Sequence, residues 1–540
     1  MQYDIIIIGY GMVGNVAALL LHQQGLSVAV VERMDIRDTG VAKAGRVDSE
    51  VMRILEQLNL RKEIERHCSP LEGSQIVARS GRVLVPIDQA KQGDYAQMYG
   101  FYQPDVQRIL QKAAAAEKNI HIFDGCEVND ISQNNDSVFV AALTHFKTKQ
   151  LRLKGRYLLV CSGAQTPIAQ LCELKFIDYR HSGHTLNVET RTAEPTPTNR
   201  FAQTIYDLPL PVTRICHSAH QQRWEFELQG RDINKENTPE NVRQLITKLM
   251  PQAFDIETVY LHQFDSKVLR QWHTNRIIFA GDAAHTMPPY LGMSLSAGIK
   301  DVYNLSWKLA LMCRGLSTDD ILRTYKGERA PAAAQLISLN VWIQRLFQSS
   351  RLRFLRYCVP FVPKAFLRRR LDLSTKIDYG ILGTNSALRG RLLPAWTLSQ
   401  SNSDTTAIDK LLGANFAIIG FGINPVDAIE VEFVALLATL RCTFLQICPK
   451  NKPLPEQNRY TKFVLDHNGE AQKFFTQNKA AFFIVRPDHL VFDAARDYIQ
   501  LNDQLEAMQE KLHLFAVQPL QKAFPTDHNE DEDLFEEQSL

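Results

Sequence analysis

Three glycines in the run Asp4-Ile5-Ile6-Ile7-Ile8-Gly9-Tyr10-Gly11-Met12-Val13-Gly14 have the spacing of a phosphate-binding turn between a buried strand and a helix. Gly9 permits the tight turn, Gly11 lets backbone approach a pyrophosphate, and Gly14 lets the helix pack on the strand. A pyrophosphate would then sit at the positive end of the helix, beside Met12 and Val13. Glu32 ends the next apolar run and can accept both ribose hydroxyls of an adenosine. A second acid, Asp282, follows Gly281 at the end of Arg276-Ile277-Ile278-Phe279-Ala280, where open α/β sheets bind ligands. Lys43 and Arg46 precede a helix, and read either as clamps on a diphosphate or ribose or as a solvated surface loop. His285 reads as a proton relay or as a packing residue; Tyr206, His217, His220, Trp224 and Tyr290 read as walls of a ring-shaped pocket or as core and surface. No Ser/His/Asp nucleophile setting and no metal-ligand spacing stands out.

These groups need a scaffold, and the hydrophobic pattern supplies one. A helix runs from the turn to about residue 24, with Gly25 as its C′ residue, and a strand follows at 27–31. Val51, Ile54 and Leu55 recur at helical spacing. A hairpin over 75–85 turns at Gly81-Arg82, Pro104 opens a helix over 106–117, and strands follow at 128–144, 151–153 and 157–164. Residues 182–260 alternate as strands around one helix at 239–250, which suits a mainly β substrate domain. A long helix covers 296–313. Residues 343–371 are basic and amphipathic, and read as a connecting helical segment with a solvated or intersubunit face, ahead of association with a membrane surface. The polar run 399–406 reads as a linker to a C-terminal βα module, and the acidic tail 527–537 as disordered. Gly420-Phe421-Gly422 in that module lacks the third glycine and the downstream acid of a second nucleotide site.

Composition narrows the classes further. With 540 residues, 45% hydrophobic and 22% charged, the chain can bury two or three domain cores. A formal charge of +2, with no basic run interleaved with aromatics, argues against nucleic-acid binding. Nine scattered cysteines without a C-x-x-C pair favour a reducing compartment, and the absence of a basic n-region argues against a signal peptide, so a cytoplasmic location is expected. The apolar window 5–21 is a strand plus a helix, and no transmembrane span is expected.

Taken together, the chain resembles the single-component FAD-dependent aromatic hydroxylases of the p-hydroxybenzoate hydroxylase fold, on the branch of 3-(3-hydroxyphenyl)propionate hydroxylase and phenol hydroxylase. The resemblance rests on Gly9-x-Gly11-x-x-Gly14 with Glu32-Arg33, Tyr102-Gln103-Pro104-Asp105, and Arg223-Trp224-Glu225-Phe226. It rests equally on Gly281-Asp282-Ala283-Ala284-His285-x-x-Pro288-Pro289 and Asp301-x-x-Asn304-Leu305-x-Trp307-Lys308-Leu309. It implies an α/β fold: an FAD-binding Rossmann-like domain (1–75, 100–180, 262–345), a mainly β substrate domain (76–99, 181–261), and a helical connector (346–398). A thioredoxin-like C-terminal domain (407–525) and the tail (526–540) would follow.

The resemblance also implies FAD held by Gly9, Gly11, Met12, Val13, Gly14, Glu32, Arg33, Lys43, Arg46, Gln103, Gly281 and Asp282, with the ring edge on Gly292, Met293, Ser294 and Leu295. Asp282 would meet the ribityl chain, and Pro289, Tyr290 and His285 would stand nearest the chemistry. The helix starting near Ser296 would offer its positive end to the reduced ring. The implied cycle takes NADPH or NADH and O2, forms a flavin C4a-hydroperoxide, and hydroxylates a small phenolic or related aromatic substrate. A homodimer is compatible with it. The chain departs from the family at Ser162, where an acid is usual, at Gln165 in place of an arginine, at the Gly292-Met293-Ser294-Leu295-Ser296 loop, and at Lys43, with Arg46 a substitute three residues on. Those departures keep two alternatives open: a tailoring flavoenzyme for larger natural products, and a flavin-binding protein without turnover.

Overall fold

The computed structural model describes residues 2–36, 42–87, 92–144, 150–164, 167–196, 199–206, 208, 210–228, 231–348, 375–400, 404–456 and 458–512. The 351–371 part of the basic stretch, Gln165 and the acidic tail lie outside the described residues.

Ile5, Ile6 and Ile7 are fully buried because their strand, Gln2–Ile8, is central in a parallel sheet covered on both faces. The sheet runs Ile277–Phe279, Gln150–Val160, Gln2–Ile8, Val28–Val31, Ile120–Phe123, with His273–Thr274 antiparallel at its edge. The first helix, Met12–Gln23, packs against Gln103–Ala115 and against a buried helix, Ser294–Cys313, that starts two residues earlier than its sequence pattern suggests. The strands expected at 151–153 and 157–164 are one, Gln150–Val160. Lys154 and Gly155 pair with Gln2 and Tyr3 on one side and with Phe139 and Val138 on the other, so the ladder carries the strand through.

A second sheet of eight strands stands beside this one. Its order is His285–Thr286, Asp255–Leu269, Phe176–Arg191, Gln221–Glu227, Val212–Cys216, Ala202–Ile205, Ser74–Val77, Val83–Ile87. The hairpin expected around Gly81 forms its far edge, and a boundary at residue 75 falls inside the strand Ser74–Val77. A small sheet of Arg46–Asp48, Met98–Phe101 and Cys68–Leu71 bridges the two large ones.

The C-terminal sheet contains Ala417–Phe421, Thr443–Pro449, Thr461–Asp466, Phe482–Val485 and Val491–Ala495, with helices Val431–Thr439, Glu470–Gln477 and Tyr498–Lys511. Thr397–Ser399 and Thr405–Ala407 pair as its edge hairpin, so the polar run 399–406 joins two strands of one sheet rather than two domains. Residues 375–396 form turns and isolated bridges to Arg391 and Leu490 in place of the helix expected there, because their polar groups are used by the neighbouring strands. Among the described residues no helix is long and apolar enough to cross a membrane.

Buried charge fastens this module to the rest. Glu328, on the helix Ile321–Gln348, takes Arg486 at 2.7 Å and Lys308 at 2.9 Å, and Arg486 also holds Asp488 at 2.6 Å. Nearby, Asp409 receives Arg53 at 2.7 Å and His489 at 2.9 Å. Burial alone would raise the Glu328 carboxyl, but Arg486 and Lys308 pull it down to about 2. A carboxylate with a depressed pKa contributes stability that is complete above its unfolded value and is lost as pH falls toward 2. Glu328→Gln leaves two buried cations short of a counter-charge, and should cost about 3–5 kcal/mol in chemical denaturation at neutral pH. A loss below about 1 kcal/mol, the range of an exposed pair, would remove the cluster from the account of stability.

Candidate active site

Between the two large sheets lies a cleft of about 2020 Å³, counting its open mouth. Its floor is the glycine turn. A Cβ on Gly14 would stand 2.0 Å from the Gly9 carbonyl oxygen, which is why the helix can sit this close to the strand. A Cβ on Gly11 would meet nothing within 4 Å, so the space over it is open to a ligand. Glu32 lines the same end, its two oxygens accepting from the backbone N–H of Tyr10 at 2.7 Å and of Met34 at 2.9 Å. That fixes the carboxylate while each oxygen keeps a second lone pair for a hydroxyl. Met12, Val13, Arg33, Lys43, Arg46 and Gln103 complete this side, and Gln103 Oε1 accepts from the Ala44 N–H at 2.8 Å.

The opposite end is organised by a buried carboxylate. Asp301 accepts from the Gly281 N–H at 3.1 Å and from Arg329 Nε at 2.9 Å, and pairs with His285 Nε2 at 2.7 Å. Burial opposes its charge, but His285 and Arg329 hold its pKa below the usual carboxylate range. Asp282, one residue past Gly281, projects into the cleft and accepts from the Ser294 hydroxyl. Pro289, Gly292, Ser294 and Leu295 line the cleft beside it. The helix Ser294–Cys313 has no side-chain cap, and its first turn therefore presents free N–H groups and a positive dipole to the ligand space.

Gly292 sits at φ +63°, and a Cβ there would lie 2.0 Å from Arg46 Nε. Arg46 is itself buried, which lowers its pKa, and its Nη2 donates to the Tyr290 carbonyl at 3.0 Å. One turn thus faces two spaces: Pro289 and Gly292 line the cleft, whereas Tyr290 and Leu291 line a second chamber beside it, of about 490 Å³ counting its open side. Ile76, Ile87, Tyr206, Ile343, Gln344 and Glu227 form other walls of that chamber. Gln344 donates to the Tyr290 hydroxyl, and the Asn340 side chain accepts from the Leu291 N–H at 3.0 Å.

Most residues singled out from sequence therefore meet in one place, and some do not. Gly14, Gly281 and Met293 support the walls from behind, and His285 is fully buried, stacked on Trp272 at 5.2 Å between ring centroids and paired with Asp301. Of the ring-pocket candidates, Tyr206 and Tyr290 reach the chamber. His217 instead pairs with Glu189 at 3.1 Å, His220 Nδ1 lies 3.0 Å from the Thr192 carbonyl, and Trp224 is buried with its Nε1 donating to Thr190 at 3.0 Å. Arg223 donates to the Ala42 and Lys43 carbonyls at 2.6 and 3.0 Å, pinning the loop that carries Lys43.

Sequence reasoning missed Asn187, Tyr260, His262 and Phe264, which line the cleft from the second sheet. The available signal was the alternation in Tyr260-Leu261-His262-Gln263-Phe264, which places three rings on one strand face. Phe264 meets Tyr290 edge to face at 5.9 Å where cleft and chamber border on one another, and burial lowers the pKa of His262 on the same strand.

The atoms left over test whether a flavin dinucleotide fits. Arg46 Nε, Ser162 Oγ, Asn187 Oδ1 and Thr286 Oγ1 are buried on the cleft walls without a partner among the described residues. Polar atoms so placed, an open glycine turn at one end and an uncapped helix at the other suit a long ligand with a diphosphate and a polar ring edge. Among the described residues no group of three or more His, Cys, Asp or Glu is arranged to hold a metal ion.

Comparison with known proteins agrees with this geometry. Residues 2–340 match the family model of the FAD binding domain, and residues 390–511 that of the HcaD C-terminal domain. The chain is 26% identical over 515 residues to a 3-(3-hydroxy-phenyl)propionate/3-hydroxycinnamic acid hydroxylase of Escherichia coli O8 (strain IAI1), covering 90% of this chain and 91% of that protein. The Shigella sonnei (strain Ss046) protein of the same name is 25% identical over 512 residues, with the same coverage. In fold, the chain is similar to the flavin-dependent monooxygenase PieE (TM-score 0.76, 17% identity, 95% of this chain and 99% of that one). It is similarly close to OxyS anhydrotetracycline hydroxylase from Streptomyces rimosus (TM-score 0.72, 20% identity, 95% and 99%). Its cofactor is FAD, and the chain belongs to the FAD-dependent aromatic hydroxylase family defined by that FAD binding domain.

Proposed function

We propose that this chain is a monooxygenase that uses NADPH or NADH and O2 to hydroxylate a phenolic or related aromatic ring held in the chamber behind Tyr290. The observation that carries this reading is the turn 289–292, whose outer residues Pro289 and Gly292 line the cofactor cleft and whose inner residues Tyr290 and Leu291 line the chamber, so that the two spaces border on one another at this turn. FAD, when bound, supplies the transfer of reducing equivalents to dioxygen and of one oxygen atom to the ring. The protein's part is placement. Gly11 and the Met12–Gln23 helix end take the diphosphate, Glu32 the adenosine ribose, Asp282 the ribityl chain, and the turn 289–292 with the Ser294 helix end the ring. Ile76, Ile87, Leu291 and Ile343 give the chamber apolar walls, which limit the water beside a reactive oxygen donor. The names of the curated relatives make a hydroxyphenylpropionate the first candidate substrate.

Two outcomes are expected. Asp282→Ala removes a charge-assisted acceptor worth about 1.5–3 kcal/mol, so FAD should bind about 10- to 100-fold more weakly in equilibrium dialysis. Unchanged flavin occupancy would remove Asp282 from the ribityl site. In a screen of 3-(3-hydroxyphenyl)propionate, simple phenols and polycyclic phenols, a ring compound should stimulate NADPH or NADH oxidation several-fold, with product exceeding peroxide. A preference for the polycyclic members would move the reading to a natural-product tailoring enzyme. Bound FAD with no aromatic stimulation by either nicotinamide would end it.

A further inference from the structure

Glu227 closes the strand Gln221–Glu227 with its side chain turned into the chamber, on whose wall it stands with Tyr290, Tyr206 and Gln344. Only 8% of the residue is exposed, and Oε2 is buried without a hydrogen-bond partner among the described residues. No described cation is paired with it, unlike the Arg223-bound Glu225 two residues earlier and Glu189 on the neighbouring strand. A buried carboxyl left unsatisfied costs about 1–3 kcal/mol or more, and although Ser74, Gln75, Thr204 and Gln344 also line the chamber, none of them bonds Oε2, so the cost calls for a polar group on the ligand. We propose that Glu227 receives the hydroxyl of the aromatic substrate, hydrogen-bonding it through Oε2 and taking its proton as the ring is hydroxylated.

This inference rests on the functional reading above and assigns the residue that reads and activates the phenol. In the step, the substrate O–H bond breaks and an Oε2–H bond forms. The electron pair left on the substrate oxygen enriches the ring toward an electrophilic oxygen atom. The ring then re-aromatises: the hydrogen on the hydroxylated carbon leaves as a proton to the anionic oxygen left on the donor, and the proton held on Oε2 returns to the substrate oxygen. The electrostatics suit a base of this kind: burial first, and then the charge of Glu225, raise the Glu227 pKa to about 8, close to the range in which general bases work best at neutral pH. The other titratable groups around it are Tyr290 on the intervening turn and Tyr206 across the chamber. Beyond Tyr290 stand His181 and, acting on that imidazole, Arg345. Burial lowers the pKa of His181, and burial with the Glu227 charge raises that of Tyr290, so neither competes for the proton near pH 8.

The test compares the FAD-loaded wild type with Glu227→Gln, using 3-hydroxyphenylpropionate or 1-naphthol, whichever is turned over faster, and its O-methyl ether. Wild-type product formation should rise with pH through about 8, as the carboxyl ionises. The Gln variant should keep FAD and thermal stability, lose that rise, and hydroxylate about 100-fold or more slowly, the range for loss of a general base. In the wild type at about pH 9, where the carboxyl is ionised and can only accept, the methyl ether should bind about tenfold or more weakly than the phenol, because Oε2 then has no donor to meet. A Glu227→Gln enzyme with the wild-type rate and pH profile overturns the proposal while leaving the hydroxylase reading intact. If that variant does not fold, equal binding of phenol and ether by the wild type overturns it, and strong preference for the phenol supports it. A wild type stimulated by no aromatic compound overturns the functional reading and this inference with it.

Discussion

The carboxylate of Asp301 is fully buried, and three donors from two distant parts of the chain converge on it: the Gly281 N–H and His285 from one motif, and Arg329 from a later helix. An isolated charge in such a place would be prohibitive, so the site exists only because a cation and two further donors meet there at once. The geometric consequence is that the turn after the strand Ile277–Phe279, the short strand His285–Thr286 and the long helix Ile321–Gln348 cannot move independently of the helix Ser294–Cys313. Asp282 and the start of that helix, whose Ser294 hydroxyl donates to it, are thereby held together at the end of the cleft. Of the two readings that the sequence leaves for His285, a proton relay and a packing residue, its place in this node favours the packing and hydrogen-bonding one.

The turn 289–292 inherits its position from the same framework. Leu291 N–H is held by Asn340 and the Tyr290 hydroxyl by Gln344, both on the helix that carries Arg329. From the other side, Arg46 binds the Tyr290 carbonyl and occupies the space that any side chain at position 292 would need. A glycine with positive φ is thus demanded twice, by conformation and by the guanidinium pressed on it. The family's usual glycine-rich loop survives in this chain at the one position where backbone and neighbour both require it. Ser294, by contrast, has become a donor to Asp282.

The nucleotide end of the cleft was readable because its determinants are local. A strand, three glycines and an acid at a fixed spacing leave few ways to fold, and Gly9 to Gly14 and Glu32 lie where the pattern puts them. The ring end was readable only in part. Asp282 and Pro289 belong to a contiguous motif, whereas Asn187, His262 and Phe264 reach the cleft through pairing of Phe176–Arg191 with Asp255–Leu269, a long-range register that no local pattern encodes. Glu227 was invisible for a related reason: an acid ending a strand is ordinarily solvated, and only the packing of Tyr290, Ile343 and Gln344 from distant segments buries it. Trp224 failed in the opposite sense. Its neighbours in the motif point to the cleft side, so alternation along the strand sends Trp224 to the core behind the sheet.

The C-terminal module lacks a C-x-x-C pair, so its contribution has to be sought in what it touches. The helix Ile321–Gln348 gives the answer through the order of its side chains. Glu328 reaches Arg486 in the module, Arg329 reaches Asp301, Asn340 reaches Leu291, and Gln344 reaches Tyr290. Pro331 removes one backbone N–H near the start of this series, so helical hydrogen bonding alone is weakest beside Glu328. The buried contacts of Glu328 with Arg486, Lys308 and Asn304 offset that weakness where the helix enters the core. The module therefore contacts the helix near its N-terminal third, at Glu328, and the C-terminal third of the same helix holds Tyr290 and Leu291 at the chamber wall.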